Sequence, residues 1–464
     1  MSHKTLWAFA LTSAAAFMVT LDNLVVTTAI PVIRRDLHAG IGGLEWTVNA
    51  YTLTFAVLLL TGAALGDRFG RRRLLAIGLG IFTVASAAAA LAPSIGALDA
   101  ARAVQGLGGA IVMPLTLTIL SASVPAEKRG LALGAWGGIS GLAVAFGPLV
   151  GGAVVSGISW HWVFWLNVPI GIVLVPLVLL RLDESRGAGR FDLPGLGLGS
   201  AGLLGIVWAL VRANTVGWGS PQIVGAFVAG ALLTAAFVAW ELRTTHPMLP
   251  MQFFRNRTFA LANVASLFMS FGMFGSIFLL AQFFQTVQGY SPLASGLRIL
   301  PWTAMPMVVA PIAGALTDRI GGHRIIGTGL ALQAAGLAWI AAVQTPTTPY
   351  IDFVAPFAVS GFGMALFFAP VASVVLGSVP AAAEGQASGA NNAIRELGGV
   401  LGVAILAAVF AHSGGYQSGQ AFTDGTVPAV FLGAAVVALG SIAAFAIKRR
   451  PARVEAVPAL ELSA

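Results

Sequence analysis

The chain has 464 residues, 57% of them hydrophobic and only 9% charged, with 57 glycines, 23 prolines and no cysteine. Soluble domains run at about 45–50% apolar and about 25% charged, so water is not the main solvent of this chain. The net charge of +8 has to be tested as loop asymmetry before nucleic acid is invoked. The missing cysteines, the six scattered histidines and the lack of HExxH or P-loop patterns argue against disulfides, thiolate metal sites, metalloenzyme chemistry and ATP hydrolysis.

A bilayer-crossing helix takes about 20 apolar residues. Reading between charge clusters and Pro/Gly breaks predicts spans near 6–30, 44–66, 74–92, 97–124, 130–154 and 162–181, then a pair near 193–213 and 221–241. A last group lies near 259–286, 292–316, 324–344, 353–378, 386–412 and 427–447. That makes fourteen spans with short connections. The first mimics a signal peptide, with Lys4 ahead of an apolar run, but the run continues through Asp22 to Pro31 without a cleavage site and reads as a retained helix.

With the N-terminus placed in the cytoplasm, the inner loops collect 19 of the 25 Lys and Arg residues. They include Lys4, Arg68 and Arg71–Arg73, Lys128 and Arg129, Arg190, Arg319 and Arg324, and Lys448, Arg449, Arg450 and Arg453. Outer loops hold only Arg34 and Arg35. Basic residues mark the cytoplasmic side, so both termini are expected inside and the positive charge needs no nucleic acid.

Asp67-Arg68-Phe69-Gly70-Arg71 follows the second span, and Asp318-Arg319-Ile320-Gly321-Gly322 follows the tenth, 251 residues later. A six-helix unit therefore occurs twice. The expected organisation is a bundle over 1–181, a linker with two inserted helices over 182–258, a second bundle over 259–447 and a tail over 448–464. Paired repeats are a transporter device, with the site at their interface.

Five blocks carry chemistry. In the first span, Thr20, Asn23 and Thr27 share a helical face beside Asp22. A carboxylate about 8 residues, or roughly 12 Å, inside the outer end is costly unless it faces protein or water. It can exchange a proton as its surroundings alternate, or serve as a structural ion pair. In the loop block, Gly70 permits a tight turn, while Asp67, Arg68 and Arg71 can cap helix ends and pair across the halves. In the fourth span Arg102, Gln105, Gly106 and Gly109 share a face. Arg102 lies roughly 7 Å deep, close to the depth of Asp22, and is inferred to be its counter-ion. In the fifth span Gly134/Gly138, Gly137/Gly141 and Gly147/Gly151 are small-xxx-small pairs, and Pro148, followed by Gly151 and Gly152, invites a hinge or seal. In the ninth and tenth spans Phe271, Phe274 and Trp302 form an aromatic stripe which, with Asn23 and Gln105, could line an adaptable apolar cavity or pack as core.

These blocks, with Trp46 and Tyr51, the run Trp160–Gly171 and Asn391–Gly399, resemble the fourteen-helix drug:proton antiporter branch of the major facilitator superfamily over nearly the whole chain. The resemblance implies an all-α polytopic membrane protein, with two six-helix bundles and two inserted central helices. Asp67, Arg68, Gly70 and Arg71 would form a latch that breaks as the halves rock. Gly147, Pro148, Gly151 and Gly152 would form the antiporter motif, and Asp22 with Arg102 the proton-coupling pair. Departures from the family pattern are Ala63 in place of Gly (Gly314 keeps it in the second copy) and His161 in place of Arg. Glu45 and Glu396 stand where Gln is common; each is either an extra proton site or a solvated end residue, Glu396 being placed near the cytoplasmic end.

The implied function is export of hydrophobic or weakly charged small molecules, such as drugs and antibiotics, driven by protons through a bacterial plasma membrane. No cofactor beyond the gradient, no nucleic acid and a monomeric chain are expected. Dedicated export of a self-made metabolite would use the same machinery. An intramembrane enzyme lacks a convergent catalytic cluster here, and a transport-dead sensor lacks a signalling domain.

Overall fold

The computed structural model describes residues 3–186, 192–245, 247, 249, 251–380 and 383–447. They form α1 (His3–Asp36), α2 (Ile41–Phe69), α3 (Arg71–Ala90), α4 (Ile95–Ser123), α5 (Ala126–Gly157), α6 (His161–Trp165), α7 (Asn167–Arg181), α8 (Leu193–Val216) and α9 (Pro221–Glu241). There follow α10 (Arg257–Thr286), α11 (Pro292–Thr303), α12 (Met305–Ile320), α13 (Gly322–Val343), α14 (Ile351–Leu376), α15 (Glu384–Ser413) and α16 (Gly419–Phe445). The expected tail 448–464 with its basic residues, and Arg190 and Phe191, lie outside the described residues. So do the side chains of Ala63, Lys128, Arg129 and Asp318, and the fifth-span glycines 134, 137, 138 and 141.

Among the described residues, 12 helical stretches are long and apolar enough to cross a membrane. A chain in lipid must satisfy its backbone within each segment, which leaves helices as the solution for such sequences. The expectation of fourteen spans is thus met by 12, with α2 and α5, of 29 and 32 residues, standing beside them. Two spans are broken. The sixth divides at Leu166 into α6 and α7, and the tenth at Ala304 into α11 and α12. Pro306 lies in the first turn of α12, where its missing N–H costs nothing but the preceding helix cannot run on through it. The last helix begins at Gly419, eight residues before the predicted start, because the Ser418 side chain accepts from the Ala421 amide and caps it there.

Gly70 at φ 109° and Gly321 at φ 97° sit at equivalent turns, α2 to α3 and α12 to α13. Both are in the left-handed region open to glycine, so the repeat seen in sequence is also a repeat of backbone geometry. Helices α1 to α7 pack mainly on one another, with α4 held between α2 and α3 and α5 along α1. Helices α10 to α16 do the same, with α13 against α14 and α16, and α10 against α15 and α16. The two sets meet where α5 crosses α11 and where α2 lies along α15. The hairpin of α8 and α9 rests through α8 on this α2–α15 seam, and only 11% of the α9 span is buried.

Polar contacts that join the two sets lie at the face away from the basic 67–73 loop. Gln285 Nε2 donates to the Thr28 carbonyl at 2.9 Å, the Leu293 amide donates to Ser156 Oγ at 3.0 Å, and the Arg34 guanidinium stands 3.6 Å above the Tyr416 ring. The molecule is closed on that face.

Candidate functional site: a buried ion pair and its seal

Asp22 lies in the interior of α1 (His3–Asp36) and is buried, 1% exposed. Arg102, on α4, is fully buried and donates from Nη1 to Asp22 Oδ2 at 2.5 Å. The other carboxylate oxygen, Oδ1, accepts from Gln105 Nε2 at 2.8 Å and from Asn167 Nδ2 at 2.7 Å. Gln105 also accepts from Arg102 Nη1 at 2.7 Å and donates to Ser86 Oγ at 2.8 Å. Arg102 Nε donates to the Thr47 carbonyl at 3.0 Å, and its guanidinium lies 4.2 Å from the centre of the Tyr51 ring. Five helices, α1, α2, α3, α4 and α7, thus converge on one carboxylate.

Such a pair is retained inside a protein only when its remaining hydrogen-bond capacity is met, and removing one partner costs about 3–5 kcal/mol. Here the carboxylate accepts three hydrogen bonds, while Arg102 Nη2 is buried without a partner among the described residues. The Asp22 carboxylate is the charge in direct contact with the Arg102 guanidinium.

Asp22 and Arg102 stand in contact, as inferred from their depth, while Gln105, expected on the substrate wall, instead bonds to Asp22. Sequence alone assigned no role to Asn167, Ser86 or Thr47. A lone Asn at the start of the otherwise apolar α7 was the available signal, since a polar side chain in a span needs a partner.

The loop block departs from its expected cross-half pairing. Asp67 accepts from Arg71 Nε at 2.8 Å within one turn. Glu184, from the segment after α7, accepts from the backbone amides of Arg72 and Arg73 at 3.0 and 3.3 Å. A carboxylate at these orphan amides caps α3 and matches the positive end of its dipole. Among the described residues the block is tied inside its own set, with Arg68 beside the Phe69 ring.

α5 runs unbroken through Pro148. A Cβ added at Gly147 would stand 2.6 Å from Leu24 Cβ, and one at Gly151 2.9 Å from Val25 Cα, both on α1. At Gly152 it would stand 2.8 Å from Leu293 Cα, and one at Gly296 of α11 would meet the Pro148 carbonyl carbon at 2.8 Å. These glycines let α5 touch α1 on one side and α11 on the other.

Glu45 is 3% exposed, a buried residue and not a solvated end. Glu396 is 8% exposed, lies 3.4 Å from Arg395 Nη2 and is within electrostatic reach of Tyr51. It sits twelve residues into α15, about 18 Å from the helix start, which corrects its placement near the cytoplasmic end. The expected substrate wall is mostly closed packing in this conformation. Gln105 is consumed by Asp22, Trp302 is fully buried and stacks on Phe357, and Phe271 is 5% exposed with its backbone against Gly402. Only Asn23 and Phe274 are half-buried.

The fold and site define a polytopic helical transporter with a charged pair locked in its first bundle. The family model for the Major Facilitator Superfamily matches residues 12–403 and 266–462, and the chain belongs to that family. It is similar to the tetracenomycin C resistance and export protein of Streptomyces glaucescens, 33% identical over 90% of this chain and 78% of that one. It is 36% identical to the multidrug resistance protein Stp of Mycobacterium tuberculosis, over 89% and 77% of the two chains. It is 34% identical to the multidrug efflux pump LfrA of Mycolicibacterium smegmatis, over 95% and 87%. Among solved structures, a bacterial homolog of the human lysosomal transporter Spinster, in an inward-facing and unoccupied conformation, shares the fold at TM-score 0.67 and 15% identity, covering 96% and 97%. The chain is a membrane transporter and not an enzyme.

Proposed function

We propose that this protein expels hydrophobic or weakly charged small molecules, including drugs and antibiotics, from a bacterial cell in exchange for protons. The observation that carries the reading is the buried Asp22–Arg102 pair with its donors Gln105 and Asn167. The names of the relatives, which include multidrug resistance and efflux, support it.

In this reading the spans number fourteen, because α2 and α5 join the 12. Each is more than 40 Å long at about 1.5 Å per residue, and their charges cluster toward their ends. Residues 1–181 and 259–447 act as two rocking bundles, joined by the linker 182–258 and followed by the tail 448–464. The basic face is cytoplasmic, so the closed face is extracellular. Protonation of Asp22 releases Arg102 and the α1–α4–α7 contacts. The seal of α5 on α11 opens, substrate leaves, and return of the proton to the cytoplasm restores the pair. Gly147, Pro148, Gly151 and Gly152 hold that seal; Asp67, Arg68, Gly70 and Arg71 secure the opposite face. Asn23 and Phe274 face the substrate route. The chain works as a monomer and draws on the proton gradient without a cofactor.

The test is export of a dye from proteoliposomes under an imposed pH gradient. Wild type concentrates the dye against its gradient and Asp22→Asn does not; full pH-coupled pumping by Asp22→Asn would overturn the mechanism. Relatives named for single compounds, tetracenomycin C and methylenomycin A, favour a second reading as a dedicated exporter of one self-made metabolite. A drug panel in a pump-deficient strain separates the two by the breadth of resistance.

A further inference from the structure

A cavity of about 570 Å³ opens at the closed face, between the first turns of α2 and α4 and the last turns of α8 and α15. Its walls include Glu45, Asp99, Arg212, Asn214, Thr215 and Ala411. Two carboxylates in one recess would not make a site by themselves. Glu45, however, is 97% buried by its 3% exposure, and its Oε2 is buried without a hydrogen-bond partner among the described residues. One turn along the same face of α2, Asn49 is fully buried with neither amide atom partnered. Orphaned buried polar atoms of this kind are expected to take water or an exchangeable proton as partner.

The recess is wired to the central pair. Asp99 Oδ1 accepts from Thr47 Oγ1 at 2.9 Å, and the carbonyl of the same Thr47 accepts from Arg102 Nε at 3.0 Å. Asp99 feels the charge of Arg102, which therefore stands between two carboxylates. Asp22 is on its Nη1 side, and Asp99 is one residue away through Thr47.

We propose that this recess is the extracellular proton-loading chamber of the transporter, with Glu45 and Asp99 as its acceptors and the inserted helix α8 as its outer wall. The inference rests on the proton-coupled reading above and on its orientation. A hydronium in the chamber gives a proton to a carboxylate oxygen of Glu45 or Asp99; one O–H bond forms, one breaks, and water remains. While Asp99 is ionised it offers Arg102 a second counter-charge, so that Asp22 can take up its own proton without stranding a buried cation. Neutralising Asp99 returns the guanidinium to Asp22. The groups facing Glu45 fit this task. α4 brings Asp99 and α8 brings Arg212, while Tyr416, under Arg34 of α1, faces it from the turn before α16. α15 lines the recess with Ala411, its neighbour His412 being exposed. Asn214 fastens the wall, its Nδ2 donating to the Ala408 carbonyl at 2.8 Å. This gives the α8–α9 hairpin a function: it keeps lipid out of an aqueous recess.

The experiment is infrared difference spectroscopy on the full-length protein in lipid, between about pH 8 and about pH 5, alongside ethidium export from proteoliposomes with acid outside. Wild type is expected to show carbonyl bands of newly protonated carboxyl groups. Glu45→Gln and Asp99→Asn each remove one band, Asp22→Asn leaves both, and Thr47→Val, which deletes the donor to Asp99, moves the Asp99 band. The double variant Glu45→Gln/Asp99→Asn shifts the half-maximal outside pH of export toward acid by about one unit. Bands that survive both single substitutions overturn the chamber. An Asp22→Asn protein that still pumps, while the Glu45 and Asp99 bands respond as stated, overturns the Asp22 mechanism and leaves the chamber standing. If wild type exports no ethidium, the bands alone decide.

Discussion

Arg34, at the end of α1, places its guanidinium 3.6 Å over the ring of Tyr416, in the turn between α15 and α16. The contact binds the two helical sets at the closed face. Tyr416 is fixed in turn by a hydrogen bond from its hydroxyl to Gln282 Oε1. A desolvated cation–π pair is worth about 1–2 kcal/mol, which corresponds to about five- to thirtyfold in an opening equilibrium. Arg34→Ala is expected to raise outside access by such a factor. The chain has no cysteine, so a single Ser156→Cys reporter, labelled from outside with an impermeant maleimide, measures it. An unchanged labelling rate would show that the pair does not hold the face.

The same ring sets a pH limit. Burial pushes the Tyr416 hydroxyl above its ordinary range, Arg34 opposes this and Glu45 adds to it. The neutral form is the one favoured in the folded molecule. Its contribution is therefore complete below the ordinary tyrosine value of about 10 and is lost only as pH rises through the raised value. Labelling of the Ser156→Cys reporter in an Arg34-containing background should show no change caused by Tyr416 across the neutral range. Tyr416→Phe keeps the ring, loses the bond to Gln282 and should remove any alkaline dependence that wild type shows.

Asn167 supplies one of two hydrogen bonds to Asp22 Oδ1. Hydrogen bonds to a charged group are worth about 1.5–3 kcal/mol. Asn167→Ala is expected to lower the unfolding midpoint in detergent and to slow export by about tenfold or more, while binding of substrate in the absence of a gradient stays near wild type. Thermal unfolding with a parallel transport assay separates these effects. Full export with wild-type stability would remove Asn167 from the site.

Gly152 faces backbone atoms of α11, and backbone cannot swing aside as a side chain can. Gly152→Leu should push α5 from α11 at a cost of about 1–3 kcal/mol. In a Ser156→Cys/Leu293→Cys protein, whose native counterparts are in hydrogen-bond contact, disulfide formation should fall and export should drop. Equal cross-linking with and without the leucine would show that the crossing tolerates the added bulk.

Twelve of the fourteen expected spans were legible because continuous apolar length is a local property, and the turn glycines because the same punctuation occurs twice. Asp22 and Arg102 stood out because charge is rare in this chain, and helix rise alone put them at similar depth. Asn167, Ser86 and Thr47 were not legible, since each acts only where α7, α3 and α2 converge. The loop carboxylate Glu184 was missed for the same reason: it belongs to a segment far along the chain that folds back onto α3. The aromatics Phe271 and Trp302 read equally as cavity wall or core from sequence, and only packing distinguishes them.

One helix, α5, touches both the Asp22 helix, at Leu24 and Val25, and α11 across the seam, at Leu293. A machine that trades two cargoes through one rigid connecting rod can slip only as far as the rod bends. In the proton-coupled exchange proposed above, fidelity would be set as much by the small residues along α5 as by Asp22. Substitutions there are the ones expected to yield leak: protons running downhill with nothing carried in return.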